Sequence, residues 1–249
     1  MTDAAIIDLQ RLRHSCAQCS LHQLCLPDSM DRQDLDRLDH LIHKRRPLLR
    51  DGVLFRAGDA LTSLYVARDG AFKTSALGED GSIQVIGFHL PGELIGLDAL
   101  GDGVHRCDAV ALSPATVCEV PLKALNELAA QLPSLQRQLL RIIGRSVGRD
   151  QDHLAMMGRR HAVERLALFL HSLSERFVAL GLPRAEFTLP MSREDIASYL
   201  GMVIETVSRT FSRLQDDGVI AVRGRQIHLL DCDRLARLAH EPESAPLRG

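Results

Sequence analysis

No stretch of this 249-residue chain approaches the roughly 20 consecutive apolar residues that a membrane-spanning helix needs, so none of it is expected to cross a bilayer. The opening MTDAAIIDLQRLRH lacks both a basic start and a long apolar run, and so does not read as a secretory signal. A cytoplasmic location is the expectation. Neither charge is in large excess: 30 Lys and Arg against 32 Asp and Glu give a net charge of −2, which argues against a protein that coats nucleic acid with its whole surface. A local basic site remains allowed. No nucleophile–base pair and no phosphate loop announces an enzyme.

What is present is ordinary in amount and unusual in placement. Apolar residues make up 45% and charged residues 25%, the balance of a soluble chain long enough for one or two domains. Of six cysteines, Cys16, Cys19 and Cys25 crowd into HSCAQCSLHQLCLPD, and Cys107, Cys118 and Cys232 are scattered. A reducing compartment disfavours a disulfide framework, so metal binding or redox sensing is the leading reading of the cluster. A thiol oxidoreductase built on Cys16-Ala17-Gln18-Cys19 would need a βαβ setting that the surrounding pattern lacks. Four thiolates would suit tetrahedral zinc or an iron–sulfur cluster equally well on spacing, and His14 or His22 could replace a thiolate at zinc.

Downstream, the pattern changes three times. Between Pro47 and Pro121, short alternating apolar stretches are punctuated by Gly52, Gly58, Gly70, Gly78, Gly81, Gly92 and Gly96, which predicts a small antiparallel roll, with LGEDGS at 77–82 as a hairpin tip. After Pro133 the period becomes helical. Leu135, Leu139, Ile142, Ile143, Val147, Leu154 and Met157 recur at three and four residue steps, predicting one long helix that ends near Gly158. Its narrow stripe suggests a twofold seam formed by Leu139, Ile143, Val147, Asp150, Leu154 and Met157. Asp150 would sit near its own copy there and weaken association by like-charge repulsion.

The last third reads as helix, turn, helix and hairpin. Ser192 and Asp195 have capping-box spacing, Ile196, Ala197 and Leu200 give an apolar face, and Gly201 makes the turn. A second helix follows, with Val203, Val207, Phe211 and Leu214 expected inward and Glu205, Ser208, Arg209 and Ser212 outward. GVIAVRGRQIHLL then supplies two strands around a basic turn. This is a winged helix-turn-helix, whose second helix enters the major groove of DNA. Arg209 can bond guanine O6 and N7, Glu205 can accept from a cytosine amino group, and Ser208 can reach a neighbouring base edge. Arg213, Arg223 and Arg225 are placed for phosphates.

DIASYLGMVIETVSRTFSRLQDDGVIAVRGRQIHLLD resembles the DNA-binding domain of the Crp/Fnr superfamily of bacterial transcription regulators. Ile204-Glu205-Thr206-Val207-Ser208-Arg209, the stretch GFHLPGELIGLDALG and the leader C-x2-C-x5-C followed by Leu26-Pro27 are similar to its oxygen-responsive FNR and ANR branch. That resemblance implies an α+β fold: a leader (1–30), a cyclic-nucleotide-binding-like β-roll (31–130), a dimerisation helix (131–159) and a winged helix-turn-helix (160–249). It implies a [4Fe-4S] cluster on Cys16, Cys19, Cys25 and, in the context Val117-Cys118-Glu119-Val120-Pro121, Cys118. The cluster would favour a homodimer that binds a TTGAT-N4-ATCAA-like palindrome, offsetting the repulsion at Asp150, where the family also has Asp. Oxygen would convert the cluster to [2Fe-2S] and reverse this. RNA polymerase would be a partner, with the 78–82 tip among its contacts. A zinc-stabilised regulator is one alternative. A cyclic-nucleotide-responsive one is another, but Leu97 follows Ile95-Gly96 where that branch has Glu, and Cys107 follows Arg106 where it has Ser.

Overall fold

The computed structural model describes residues 44–159 and 161–240, together with Asp34, Arg37 and His40 on a helix ahead of them. The leader cysteines Cys16, Cys19 and Cys25 lie outside the described residues.

The first unit is a two-sheet roll. Eight strands, β1 (Lys44–Leu48), β2 (Val53–Phe55), β3 (Ser63–Asp69), β4 (Phe72–Leu77), β5 (Ile83–His89), β6 (Leu94–Ile95), β7 (Asp108–Ala111) and β8 (Ala115–Pro121), pair antiparallel throughout. They form two four-stranded sheets of order β1-β8-β3-β6 and β2-β7-β4-β5. Side chains alternate across a strand, so one row from each sheet is buried between them. Phe55, Tyr65, Phe72, Ile95 and Val117 are among those that meet there. The expected hairpin tip is present: Leu77 pairs with Ile83, Gly81 turns at φ 81°, and the Asp80 carboxylate accepts from Ser82 N (3.0 Å) and Oγ (2.6 Å).

The long helix expected after Pro133 is present, and a shorter one precedes it. Helix α1 (Leu122–Gln131) ends at Leu132, which is extended, and α2 (Pro133–Met157) starts with its proline at the first turn, where a missing N–H costs nothing. Leu125 and Leu128 of α1 and Leu135 and Ile142 of α2 cover the outer face of the first sheet, against Leu64, Leu94 and Val120.

Helix α3 (Ala162–Ala179) leads into the C-terminal unit, made of β9 (Glu186–Thr188), α4 (Arg193–Leu200), α5 (Ile204–Asp216), β10 (Ile220–Arg223), β11 (Gln226–Leu229) and α6 (Cys232–His240). The wing has a third strand: β9 pairs with β11 on the side away from β10. One apolar cluster runs from this unit into the roll, joining Ile196, Leu200, Phe211 and Leu214 with Val85, Phe88 and Leu90 around β5. The fold is an antiparallel jelly roll of the cyclic-nucleotide-binding kind joined through helices to a C-terminal helix-turn-helix. Among the described residues, no helix is long and apolar enough to cross a membrane.

Candidate nucleic-acid interface and ligand strand

The helix-turn-helix is built by local sequence chemistry. Ser192 Oγ accepts from Asp195 N at 3.1 Å, and the Asp195 carboxylate accepts from Ser192 N at 2.9 Å, a reciprocal capping box that satisfies two otherwise orphaned donors at the start of α4. Gly201 ends the helix at φ 60° and ψ 42°. The left-handed backbone angle there favours glycine, and a Cβ would fall 2.5 Å from Cε of Met157, displacing the end of that side chain.

Helix α5 buries Val207, Thr210, Phe211 and Leu214. Val203, expected inward, is 65% exposed. It is the N-cap, extended at ψ 150°, so the helical period does not reach it, and Thr210 takes an inward place instead, its hydroxyl donating to Thr206 O at 2.7 Å. Glu205, Ser208, Arg209, Ser212 and Arg213 all face solvent. Among the described residues no ion pair joins Glu205 to Arg209, so both ends are available to a ligand. Arg213 Nε lies 4.0 Å from Asp217 Oδ2. In the wing, Gly224 turns at φ 61° between exposed Arg223 and Arg225, and Arg225 Nη1 donates to Pro190 O at 3.1 Å. The exposed face of α5 and the wing tip thus offer guanidinium forks beside a carboxylate and a hydroxyl, the groups that read base edges and hold phosphates.

Three supports were not visible in the sequence. The Arg193 guanidinium stacks 3.3 Å above the centre of the Phe211 ring, which ties α4 to α5; burial lowers its pKa to about 10, and its Nη1 has no hydrogen-bond partner among the described residues. Arg165 of α3 donates to the last carbonyl of α4, Leu200 O (3.1 Å), and to Arg159 O (2.9 Å). Lys73 and Ser198 join the roll to α4: Lys73 Nζ meets Asp195 Oδ1 at 2.5 Å, and Ser198 Oγ accepts from Val85 N (2.8 Å) and donates to Ile83 O (3.1 Å). No spacing rule marks residues so distant in the chain.

Of the four expected cluster ligands, only Cys118 is among the described residues. It lies on β8 between Arg45 of β1 and Val66 of β3 in register. Val117 points into the roll core and Val120 out towards α1 and α2, so Cys118 shares the outward side of β8, half-buried. Val66, across from it, packs on the same outer cluster as Ile142 and Leu139. Cys107 differs. It is 2% exposed between the sheets, and burial, reinforced by Asp98, pushes its thiol up to about 12. No group of three or more His, Cys, Asp or Glu side chains able to hold a metal occurs among the described residues.

The loop after β6 is tied together from within. Asp98 Oδ2 accepts from Arg106 N at 2.8 Å and from Cys107 Sγ at 3.5 Å, and Oδ1 lies 3.3 Å from His105 Nδ1. His105 stacks on Phe55 at 3.6 Å, and the Arg106 guanidinium pairs with Asp102. Arg106 N, Cys107 Sγ and the Arg106 guanidinium are thus taken by the chain's own carboxylates.

The expected seam residues divide on α2. Val147 (49%), Asp150 and Leu154 (72%) are exposed and Ile143 and Met157 half-buried, whereas Leu139 packs on its own chain's outer cluster. Leu140 is the exposed leucine of that turn, at 64%, and with Val147 and Leu154 it makes a strict seven-residue repeat.

The Cyclic nucleotide-binding domain family matches residues 45–132, and the Crp-like helix-turn-helix domain family matches residues 164–238. The chain is 45% identical over 224 residues to the Transcriptional activator protein Anr of Pseudomonas protegens, covering 90% of this chain and 92% of that one. It is 42% identical, with 90% of each covered, to the Fumarate and nitrate reduction regulatory protein of Escherichia coli. Among solved structures, FixK2 from Bradyrhizobium japonicum superposes with a TM-score of 0.72 at 32% identity, over 78% of this chain and 96% of that one. Roll, linking helices and DNA-reading unit together place the chain in the Crp/Fnr family of transcription regulators, which are DNA-binding proteins and not enzymes.

Proposed function

We propose that the chain is an oxygen-responsive regulator of anaerobic gene expression, active as a homodimer loaded with one [4Fe-4S] cluster per chain on Cys16, Cys19, Cys25 and Cys118. The observation that carries this is the position of Cys118: half-exposed, on the outward side of a sheet whose neighbouring side chains, Val66 and Val120, pack in the same cluster as Ile142 of α2. A thiol there fits a cluster ligand, because it is reachable from outside the roll and lies beside the helix that would form the seam. Cys107, enclosed and held protonated, does not fit. When bound, the cluster supplies an oxygen-labile link between leader and β8.

The rest is the work of the chain's own residues. Val66 and Val120 relay the position of β8 to Ile142, and Ile143, Val147, Asp150, Leu154 and Met157 face the second copy. Burial raises the pKa of Asp150, against the pull of Arg149 and His153. A second copy of that carboxylate would add to the cost, so the seam is set close to balance. A difference of about 1.4 kcal/mol then changes association tenfold. Met157, against Gly201, connects the end of the seam to the turn before α5. Paired α5 helices present Glu205, Ser208 and Arg209 to two half-sites of a TTGAT-N4-ATCAA-like palindrome, with Arg213, Arg223 and Arg225 on phosphates. The internally tied loop around Asp98 speaks against a cyclic-nucleotide effector. RNA polymerase contact through the 78–82 tip completes the reading. Anaerobic purification with iron and acid-labile sulfide analysis tests it: about four of each per chain, with a visible absorbance that bleaches in air, is expected. One zinc per chain without sulfide would refute it.

A further inference from the structure

A cavity of about 270 Å³ opens between the turn after β5, helix α2 and the end of α3. Its charged lining is Arg145 and Arg149 from α2, Arg176 from α3 and a single carboxylate, Glu93. Glu93 is already matched. Arg176 meets it with two donors, Nε to Oε1 at 2.9 Å and Nη2 to Oε2 at 2.7 Å, and Leu90 N adds a bond to Oε2 at 3.0 Å. Burial works against the Glu93 carboxylate, and Arg176 and Arg149 overcome this, holding the carboxyl below its ordinary value. Arg149 approaches it only at 3.6 Å, too far for a hydrogen bond. Arg145 has no partner among the described residues. Two guanidiniums therefore line one half-open cavity with donors to spare, Arg149 sharing the Glu93 carboxylate with Arg176 and Arg145 facing no carboxylate among the described residues.

Arg145 and Arg149 are one turn apart, so their forks can close on one ligand. Each is two residues from Val147, about 200° round the helix, so a partner on the exposed stripe would leave the cavity open. Leu94 and Ile142 give it apolar wall. We infer that this cavity is a second effector site, which takes a small organic phosphate monoester: a dianion for Arg145 and Arg149, with its organic part against Leu94 and Ile142. Guanidinium forks match phosphate oxygens in pairs, and the two charges balance. The ligand would hold α2 to the roll through the helix that carries Asp150.

Calorimetric titration of the full-length chain, kept anaerobic, with phenyl phosphate tests this. Saturable binding of one ligand per chain is expected, weakened about tenfold in Arg145→Gln and abolished in Arg145→Gln, Arg149→Gln, with far-ultraviolet circular dichroism unchanged. Benzoate, with the ring but a single charge, should bind at least about tenfold more weakly. Arg184→Gln, which removes an exposed pair with Glu175 on another face, should bind normally. Absence of saturation in the millimolar range, full affinity in Arg145→Gln, or equal affinity for benzoate would each overturn the site. So would loss of binding in Arg209→Ala, Arg223→Ala, which would place the phosphate on the DNA face.

Discussion

Lys73 on β4 and Asp195 on α4 form an ion pair at 2.5 Å that joins the roll to the helix-turn-helix, and the same carboxylate caps α4 through Ser192. Burial opposes ionisation of Asp195, but the hydrogen bonds from Lys73 and Ser192 prevail and leave its carboxyl below the ordinary value. The stability it contributes is therefore present at neutral pH and lost as pH falls through and below the usual aspartate range. Lys73→Met should cost about 1 kcal/mol in urea unfolding, and Asp195→Ala about 2, because it also removes the cap. The double variant should cost less than the sum of the two.

Removing the Asp150 carboxylate should release the seam. In air, Asp150→Ala is expected to shift the monomer–dimer constant at least about tenfold towards dimer, read by sedimentation velocity, with specific DNA binding rising in parallel. A variant that stays monomeric in air would contradict the repulsion. Leu140→Ser and Leu154→Ser should weaken the dimer, whereas Leu139→Ala, which opens a hole in the chain's own core, should chiefly lower thermal stability.

The cysteines of the roll should part company. Cys118→Ser is expected to abolish incorporation of iron and sulfide, and Cys107→Ser to retain both while destabilising the roll by about 1–3 kcal/mol. Iron and sulfide assays alongside thermal unfolding separate the two effects.

On DNA, base reading and phosphate holding predict different signatures. Arg209→Ala should cost about 1–3 kcal/mol on the preferred sequence and relax preference at one base pair. Arg223→Ala should weaken every sequence alike and reduce the salt dependence by about one phosphate contact. Fluorescence anisotropy on matched and substituted duplexes over a salt series distinguishes them.

Acid should find a weak point at His89. Burial is the main cause of its fall to about 4, with Arg176 and Arg149 adding to it and Glu93 opposing. An unfolded chain would protonate this imidazole near 6.5, so the folded state loses stability as pH drops from about 6.5 to 4, by at most about 3 kcal/mol. His89→Gln should flatten that part of the stability profile, measured by urea midpoints against pH.

Much of this was legible because the chemistry is local. The capping box at Ser192, the turn at Gly201 and the hairpin at Gly81 depend on residues within a few positions of one another. The sequence puts Leu139 on the exposed stripe of α2, but it packs on its own chain and Leu140 is exposed instead, because the two are adjacent on a helix and only the packed roll decides which is covered. The long helix after Pro133 is legible in its period, whereas the shorter α1 just ahead of it carries no such signal of its own. The three-residue β9 is too short to alternate visibly. Arg193 over Phe211, Arg165 on Leu200 O and the Arg145–Arg149–Arg176 cavity arise from elements brought together only by folding. The resemblance implies Cys118 as the fourth ligand, and the side of β8 on which it lies gives a physical reason to prefer it to Cys107 in the proposed site.

Strand β5 is the last in its sheet, and a bare sheet edge invites pairing with another molecule. Here Ser198 of α4 occupies that edge, taking the Val85 N–H and giving to the Ile83 carbonyl. Swinging the DNA-reading unit away would strip the edge beside exposed Leu77 and Ile83. The contact of α4 on β5 thus guards the sheet edge as well as positioning the helix-turn-helix, and chains in which it fails should precipitate before they misregulate.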